Sequence, residues 1–212
     1  HDDLPCMDND IVRRGKLSTH KKYGEATAVL AGNSLLTLAF EILSDNNLLL
    51  KEQTKIKIIK LISEGSGHSG IAGGQYLDLS FEKKKMSIKK IINMQIKKTG
   101  KLFAFCCSAP VLIANKKKKI INRLEKIGYE IGLLFQIADD LIDYRGNSKK
   151  AGKKTNKDQK KGKATLISFL GYQNTIKYSH KIKFDILKKL EIFGKKGDSL
   201  RNTVQFILER DK

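Results

Sequence analysis

The chain has no tryptophan, only two prolines and only three cysteines in 212 residues. With so few helix breakers, and 40% apolar residues in long stretches of helical spacing, the expected architecture is one all-α domain over residues 1–212. Cys6, Cys106 and Cys107 are odd in number and lack metal-ligand spacing, so they read as free thiols in a reducing compartment, not as a disulfide framework. No unbroken run of eighteen apolar residues occurs and no charged-then-apolar leader opens the chain. Neither a membrane anchor nor a signal peptide is therefore expected, and the expected location is cytoplasmic. The chain starts at His1, inside a motif, which leads us to expect further helices upstream.

Arginine is scarce as well. Of 42 basic residues only six are arginines, although the formal net charge is +20. Phosphate-backbone and base readers lean on the guanidinium fork, and no nucleic-acid-binding motif accompanies the lysines, so nucleic acid is not the expected partner.

What the chain does have is Phe135-Gln-Ile-Ala-Asp-Asp-Leu-Ile-Asp143, three carboxylates in an otherwise apolar helical pattern. Ile127, Ile131, Leu134, Phe135, Ile137, Ala138, Leu141 and Ile142 follow the three-and-four spacing of a buried face. Asp139 and Asp143 stand at i and i+4, on one side of that helix about a turn apart. Such a pair must be solvated or given cations, and hard oxygen donors in this arrangement suit magnesium. A second acidic cluster opens the chain: Asp2-Asp3-Leu-Pro-Cys-Met-Asp8, followed by Arg13 and Arg14. Pro5 breaks any helix between Asp2 and Asp8, which lets both carboxylates turn toward one place. A polar loop is the bland alternative.

Between these clusters, Tyr23–Ser44 is apolar nearly all round and predicts a central helix. Gln53–Ile62 predicts an amphipathic helix. Gly73-Gly74-Gln75 lacks the preceding strand and the lysine of a phosphate loop, so close helix contact or a kink is expected there. Ser87–Ala114 predicts a broken or consecutive helix pair with Lys98-Thr99-Gly100 in its middle; alone, Lys98 reads as a snorkelling surface lysine. Arg145–Lys163, rich in lysine and glycine, predicts a basic flap beside the acidic helix. Ala164–Lys212 predicts amphipathic helices with Phe184, Ile186, Leu187, Leu190 and Ile192 in the core.

Taken together, these motifs resemble the trans-isoprenyl diphosphate synthases over essentially the whole chain. Asp2–Asp8 with Arg13 and Arg14 is similar to the family's first aspartate-rich motif in its longer form. Phe135-Gln136 with Asp139-Asp140-Leu-Ile-Asp143 is similar to the second. Gly73-Gly74-Gln75, Lys98-Thr99-Gly100, Gly152-Lys153, Asp158 and Gly162-Lys163 stand in family order. Leu17, Asn33 and Gln95 depart from the pattern, with Gln95 where histidine is frequent.

The resemblance implies an isoprenoid-synthase-type helical bundle with the aspartate motifs on opposite walls of a central cavity. It implies condensation of isopentenyl diphosphate with an allylic diphosphate, making farnesyl diphosphate or, as the alternative, geranylgeranyl diphosphate. The implied metal is magnesium, with manganese as a second option. Asp2, Asp8 and Asp139 would be ligands, and Asp3, Asp140 and Asp143 would support them or bind through water. Arg13, Lys98, Thr99, Gln136, Lys153 and Lys163 would hold the allylic diphosphate. Arg14 would hold isopentenyl diphosphate, whose site is otherwise expected upstream of His1. Lys98, Thr99 and Gln136 are the implied catalytic residues, the last two turning oxygens toward a developing cation. A homodimer is implied as well. A terpene cyclase and a non-catalytic subunit of a heteromeric synthase are the competing readings.

Overall fold

A 28-residue helix, α7 (Lys118–Arg145), is the element on which the others are packed. The structure, a computed structural model, describes residues 1–146 and 162–210. Helix α7 forms because its apolar residues recur every three or four positions without a proline. It ends where Gly146 takes a left-handed conformation, at φ 74°, and returns its N–H to the Asp143 carbonyl. At about 1.5 Å per residue it is roughly 42 Å long, enough to cross the whole domain.

The other helices among the described residues are α1 (Thr19–Tyr23), α2 (Glu25–Ser44), α3 (Glu52–Ser66), α4 (Ile71–Ser80), α5 (Ile88–Gln95), α6 (Lys101–Ile113), α8 (Leu166–Leu170), α9 (Tyr172–Leu190) and α10 (Asp198–Glu209). A π-helical turn, Ile96–Gly100, joins α5 to α6, and a 3₁₀ segment, Glu191–Gly197, joins α9 to α10. The expected broken helix around Lys98-Thr99-Gly100 is this widened turn. The only strands among the described residues are β1 (Val12–Arg13) and β2 (Lys16–Leu17), an antiparallel hairpin. Its turn, Arg14-Gly15, has φ of 52° and 76°, the paired positive values that match the twist of a two-residue hairpin. The architecture is all-α, as the helical periodicity and the family resemblance imply.

Both faces of α7 are buried. On one, Ile127, Ile131 and Leu134 meet Ile186 and Leu190 of α9 and Val204 and Ile207 of α10. On the other, Leu133, Ile137 and Leu141 meet Ile91 of α5 and Leu166 of α8. Two glycines set close backbone approaches. A Cβ on Gly132 would lie 2.5 Å from the Gly100 Cα, and one on Gly74 would lie 2.2 Å from the Lys98 nitrogen. Gly74 therefore marks a helix contact, as the sequence predicts, and presses α4 against the π turn.

Two expectations need correction. Phe184 and Ile192 are exposed: the buried stripe of α9 runs through Thr175, Ser179, Ile186 and Leu190 and leaves Phe184 off it, and Ile192 falls past the end of α9 in the 3₁₀ segment. Helix α2 is not central among the described residues: only Ala28 is buried, while Leu30, Leu35, Leu38 and Ile42 face outward. Among the described residues it packs chiefly against α1 and α3, with the His1 ring resting on it near Val29 and Gly32, so its apolar circumference is mostly unmatched.

Candidate active site

The first acidic cluster is a tight loop, not a helix. Asp8 returns its N–H to the Asp2 carbonyl at 2.9 Å, and Asn9 returns its N–H to Leu4 at 3.0 Å. Leu4 is buried and pins the loop. The break at Pro5 therefore brings the Asp2 and Asp8 backbones together. Arg13, on β1, donates to Asp3 at 2.9 Å, an exposed pair of at most about 1 kcal/mol. Arg14 sits at the tip of the hairpin, exposed.

The loop is tied to the bundle by Lys163. This lysine is only 9% exposed and donates both to Asp8, at 2.9 Å, and to Asp78 of α4, at 3.3 Å. Asp78 is itself buried and also accepts from Lys98 of the π turn, at 2.7 Å. Lys98 is therefore not a snorkelling surface lysine: its ammonium points inward to a buried carboxylate. The sequence reading missed Asp78. The signal available was a carboxylate inside the apolar α4 pattern; the two lysines that make it tolerable are remote in sequence.

Thr99 and Gln136 are brought together across the gap between the π turn and α7. The Thr99 hydroxyl donates to the Gln136 amide oxygen at 3.0 Å, and the Gln136 amide nitrogen donates to Asp140 at 3.0 Å. Gln95, at the end of α5, donates to the other Asp140 oxygen at 3.1 Å. A polar cavity of about 40 Å³ is bordered by Asp78, Gln95, Lys98, Gln136, Asp140 and Lys163. Its size and lining suit one or two waters. Asp140 and Asp143 also border a larger hollow of about 570 Å³, with Ile91, Lys163, Phe169 and Tyr172 on its walls.

Asp139 lies apart from that network and accepts from Arg210 at 2.8 Å. The same guanidinium reaches the Phe135 carbonyl at 3.2 Å and covers the Phe135 ring at 3.8 Å. Arg210 is the second residue that the sequence reading missed; nothing near it in the chain marks it. Lys153, Gly152 and Asp158 lie outside the described residues. Among the described residues, no three acidic, histidine or cysteine side chains converge on one point.

What the arrangement can do follows from its charges. Among the described residues, Asp2, Asp3, Asp8, Asp78, Asp139, Asp140 and Asp143 stand near Arg13, Arg14, Lys84, Lys85, Lys98, Lys163 and Arg210. The basic side chains can bind an anion. The carboxylates are oxygen donors of the kind that suits a small divalent ion sharing its shell with phosphate oxygens.

A sequence profile of the polyprenyl synthetase family matches residues 1–199. Over 215 residues the chain is 38% identical to a farnesyl diphosphate synthase of Micrococcus luteus, covering 100% of this chain and 72% of that protein. It is 37% identical to a geranylgeranyl diphosphate synthase of Cyanophora paradoxa, covering 100% and 71%. A geranyltransferase of Helicobacter pylori, crystallised with magnesium and isoprenyl diphosphate, superposes with a TM-score of 0.86 at 32% identity, over 99% of this chain and 68% of that one. An FPP/GFPP synthase of Zymomonas mobilis gives a TM-score of 0.86 at 37% identity, over 98% and 70%.

Proposed function

The chain belongs to the polyprenyl synthetase family, and on that premise we propose that it joins isopentenyl diphosphate to an allylic diphosphate, with farnesyl diphosphate as the product. It is an isoprenyl diphosphate synthase by type. The observation that carries the reading beyond membership is the lysine pair: Lys98 and Lys163 reach one buried carboxylate, Asp78, from two different elements, and Lys163 also reaches the first aspartate motif.

The residues divide the work as follows. Lys98, Lys163 and Arg13 hold the allylic diphosphate, and their charge favours its departure with the bonding electrons. Asp2, Asp8 and Asp139 would hold magnesium, with Asp3, Asp140 and Asp143 supporting them, and the ion would supply positive charge to offset the negative charge developing on the leaving diphosphate. Arg14 contacts the isopentenyl diphosphate. The double bond of that substrate attacks the allylic carbon, a carbon–carbon bond forms, and loss of one proton restores a double bond. Thr99 and Gln136 present oxygens to the passing positive charge, and the apolar walls from α7 keep water away from it.

The test is incubation of the purified protein with isopentenyl diphosphate, dimethylallyl or geranyl diphosphate, and magnesium, followed by chromatography of the dephosphorylated products. Farnesol as the dominant alcohol is expected, with turnover lost on chelation. A dominant twenty-carbon alcohol would replace farnesyl by geranylgeranyl diphosphate, and activity surviving thorough chelation would remove the metal from the scheme. We further propose a cytoplasmic enzyme that works as a homodimer.

A further inference from the structure

We propose that Gln95 and Asp140 form a buried positioning pair that fixes the Gln136 amide, and through it the Thr99 hydroxyl, at the place where positive charge develops. The proposal rests on the prenyl-transfer reading above and concerns the residues beneath its reacting groups.

An ionised carboxylate has no hydrogen to give, so an amide touching it must turn its nitrogen inward. Asp140 is 4% exposed and is touched by two amides from two walls. Gln95 donates to Oδ2 at 3.1 Å from the end of α5, and Gln136 donates to Oδ1 at 3.0 Å from α7 itself. The Gln136 nitrogen being committed to Asp140, its oxygen must face Thr99, and the Thr99 hydroxyl must give its single hydrogen to that oxygen, at 3.0 Å. The hydroxyl is left with lone pairs alone. An oxygen without a spare hydrogen can solvate a cation, whereas a free O–H can also turn toward an anion or protonate a neighbour. The pair therefore decides the sign of the dipole that Thr99 offers.

Gln95 helps to hold Asp140 in this role. At 2% exposure it is among the most buried polar side chains of the protein. Without its N–H, Oδ2 of Asp140 would lose a buried donor, and the carboxylate could swing about the bond that now aims Oδ1 at Gln136. A buried acceptor that loses one donor shifts toward the donors that remain, and Lys98 and Lys163 border the same small cavity. Either movement releases the Gln136 amide to rotate, so its nitrogen can face Thr99 and its hydroxyl can donate outward.

The experiment compares wild type with Gln95→Met, which keeps length without the amide, and Gln95→His, which keeps a ring N–H donor. Steady-state kcat and KM for both substrates are measured, and melting temperatures are taken on the same samples. Loss of one charge-assisted hydrogen bond predicts a fall in kcat of about tenfold or more for Gln95→Met, with KM values within about twofold of wild type. Gln95→His is expected to recover most of the lost kcat, and Asp140→Asn, whose amide has an acceptor oxygen for only one of the two glutamines and a hydrogen for the other, is expected to lose more than Gln95→Met. A role confined to packing would show as a lower melting temperature with kcat per folded molecule intact, and that result overturns the proposal. So does a rise in KM at constant kcat, which would place Gln95 in substrate binding. If wild type itself shows no turnover with these diphosphates, the prenyl-transfer reading falls and this inference with it; turnover in wild type with unchanged kcat in Gln95→Met overturns the positioning pair alone.

Discussion

Asp78 shows how much of a site one buried carboxylate can organise. It accepts from Lys98 at 2.7 Å and Lys163 at 3.3 Å, so it holds two like charges near each other before any substrate arrives. In Asp78→Asn the two ammonium groups would face each other with a neutral amide between them. Removing one partner from buried pairs of this kind costs about 3 to 5 kcal/mol. We expect a clear fall in melting temperature, and a larger rise on adding magnesium and diphosphate than wild type shows, because the ligand supplies the missing negative charge. An equal or smaller ligand-induced rise in the variant would remove Asp78 from diphosphate-lysine positioning. A different residue-scale effect concerns Cys107, whose thiol burial pushes up from 9.0 to about 11. Its folded value lies above its unfolded one, so its contribution to stability is full below pH 9 and is lost as pH rises toward 11. At pH 8 roughly one molecule in a thousand would carry this thiolate, so iodoacetamide should label the exposed Cys6 long before Cys107. Equal labelling rates by mass spectrometry would contradict that burial.

At the scale of elements, the sequence was most legible where one helix carried the whole pattern. The apolar spacing of α7, and Asp139 and Asp143 one turn apart on it, needed no partner to be read. The Thr99–Gln136–Asp140–Gln95 chain is not legible as a connected chain, although the sequence marks Thr99, Gln136 and Asp140 as site residues and Gln95 as a departure from the family pattern, because it joins α5, the π turn and α7 by contacts that no local periodicity encodes. The π turn was half legible. A break at Lys98-Thr99-Gly100 could be read from the composition, but its widened geometry depends on what presses against it. That pressing is testable at Gly74, where a Cβ would come within 2.2 Å of the Lys98 nitrogen. Gly74→Ala usually gains helix propensity, yet here it must push α4 away from the π turn. Overpacking of this sort costs about 1 to 3 kcal/mol, and the lysine pair should be displaced with it. Chemical denaturation is expected to show lower stability, accompanied by a raised KM for the allylic substrate. A neutral or stabilising outcome would mean that α4 and the π turn are not in contact.

At the scale of the molecule, the +20 charge and helix α2 bear on one question, which is how copies of this protein meet. Two molecules so strongly basic repel each other over most approaches, and salt screens this only beyond about 8 to 10 Å. Helix α2 is the exception: across its 20 residues the only charges are Glu25 and Glu41, and Leu30, Leu35, Leu36, Leu38 and Ile42 lie open on it. Its length and mean hydropathy of 1.6 would also satisfy a membrane span, with only 6% of that window buried. The sequence reading, which looked for an unbroken run of eighteen apolar residues, did not anticipate that, because Asn33, Ser34 and Thr37 interrupt the run without making it polar. The family resemblance places helices upstream of His1 that would cover part of this strip; we propose that what they leave open is covered by a second copy, since an uncharged apolar strip is where two basic molecules can approach without repulsion and a two-fold axis lets one strip cover its equal. Each leucine so buried contributes about 1.5 to 3 kcal/mol. Sedimentation in detergent-free buffer is expected to give twice the mass of one chain, at low and at moderate salt. The double variant Leu35→Glu/Leu36→Glu, whose two changes lie about 100° apart around the helix, is expected to halve that mass. A monomer in wild type would overturn the homodimer, and sedimentation of that monomer with added liposomes would assign the strip to a lipid surface.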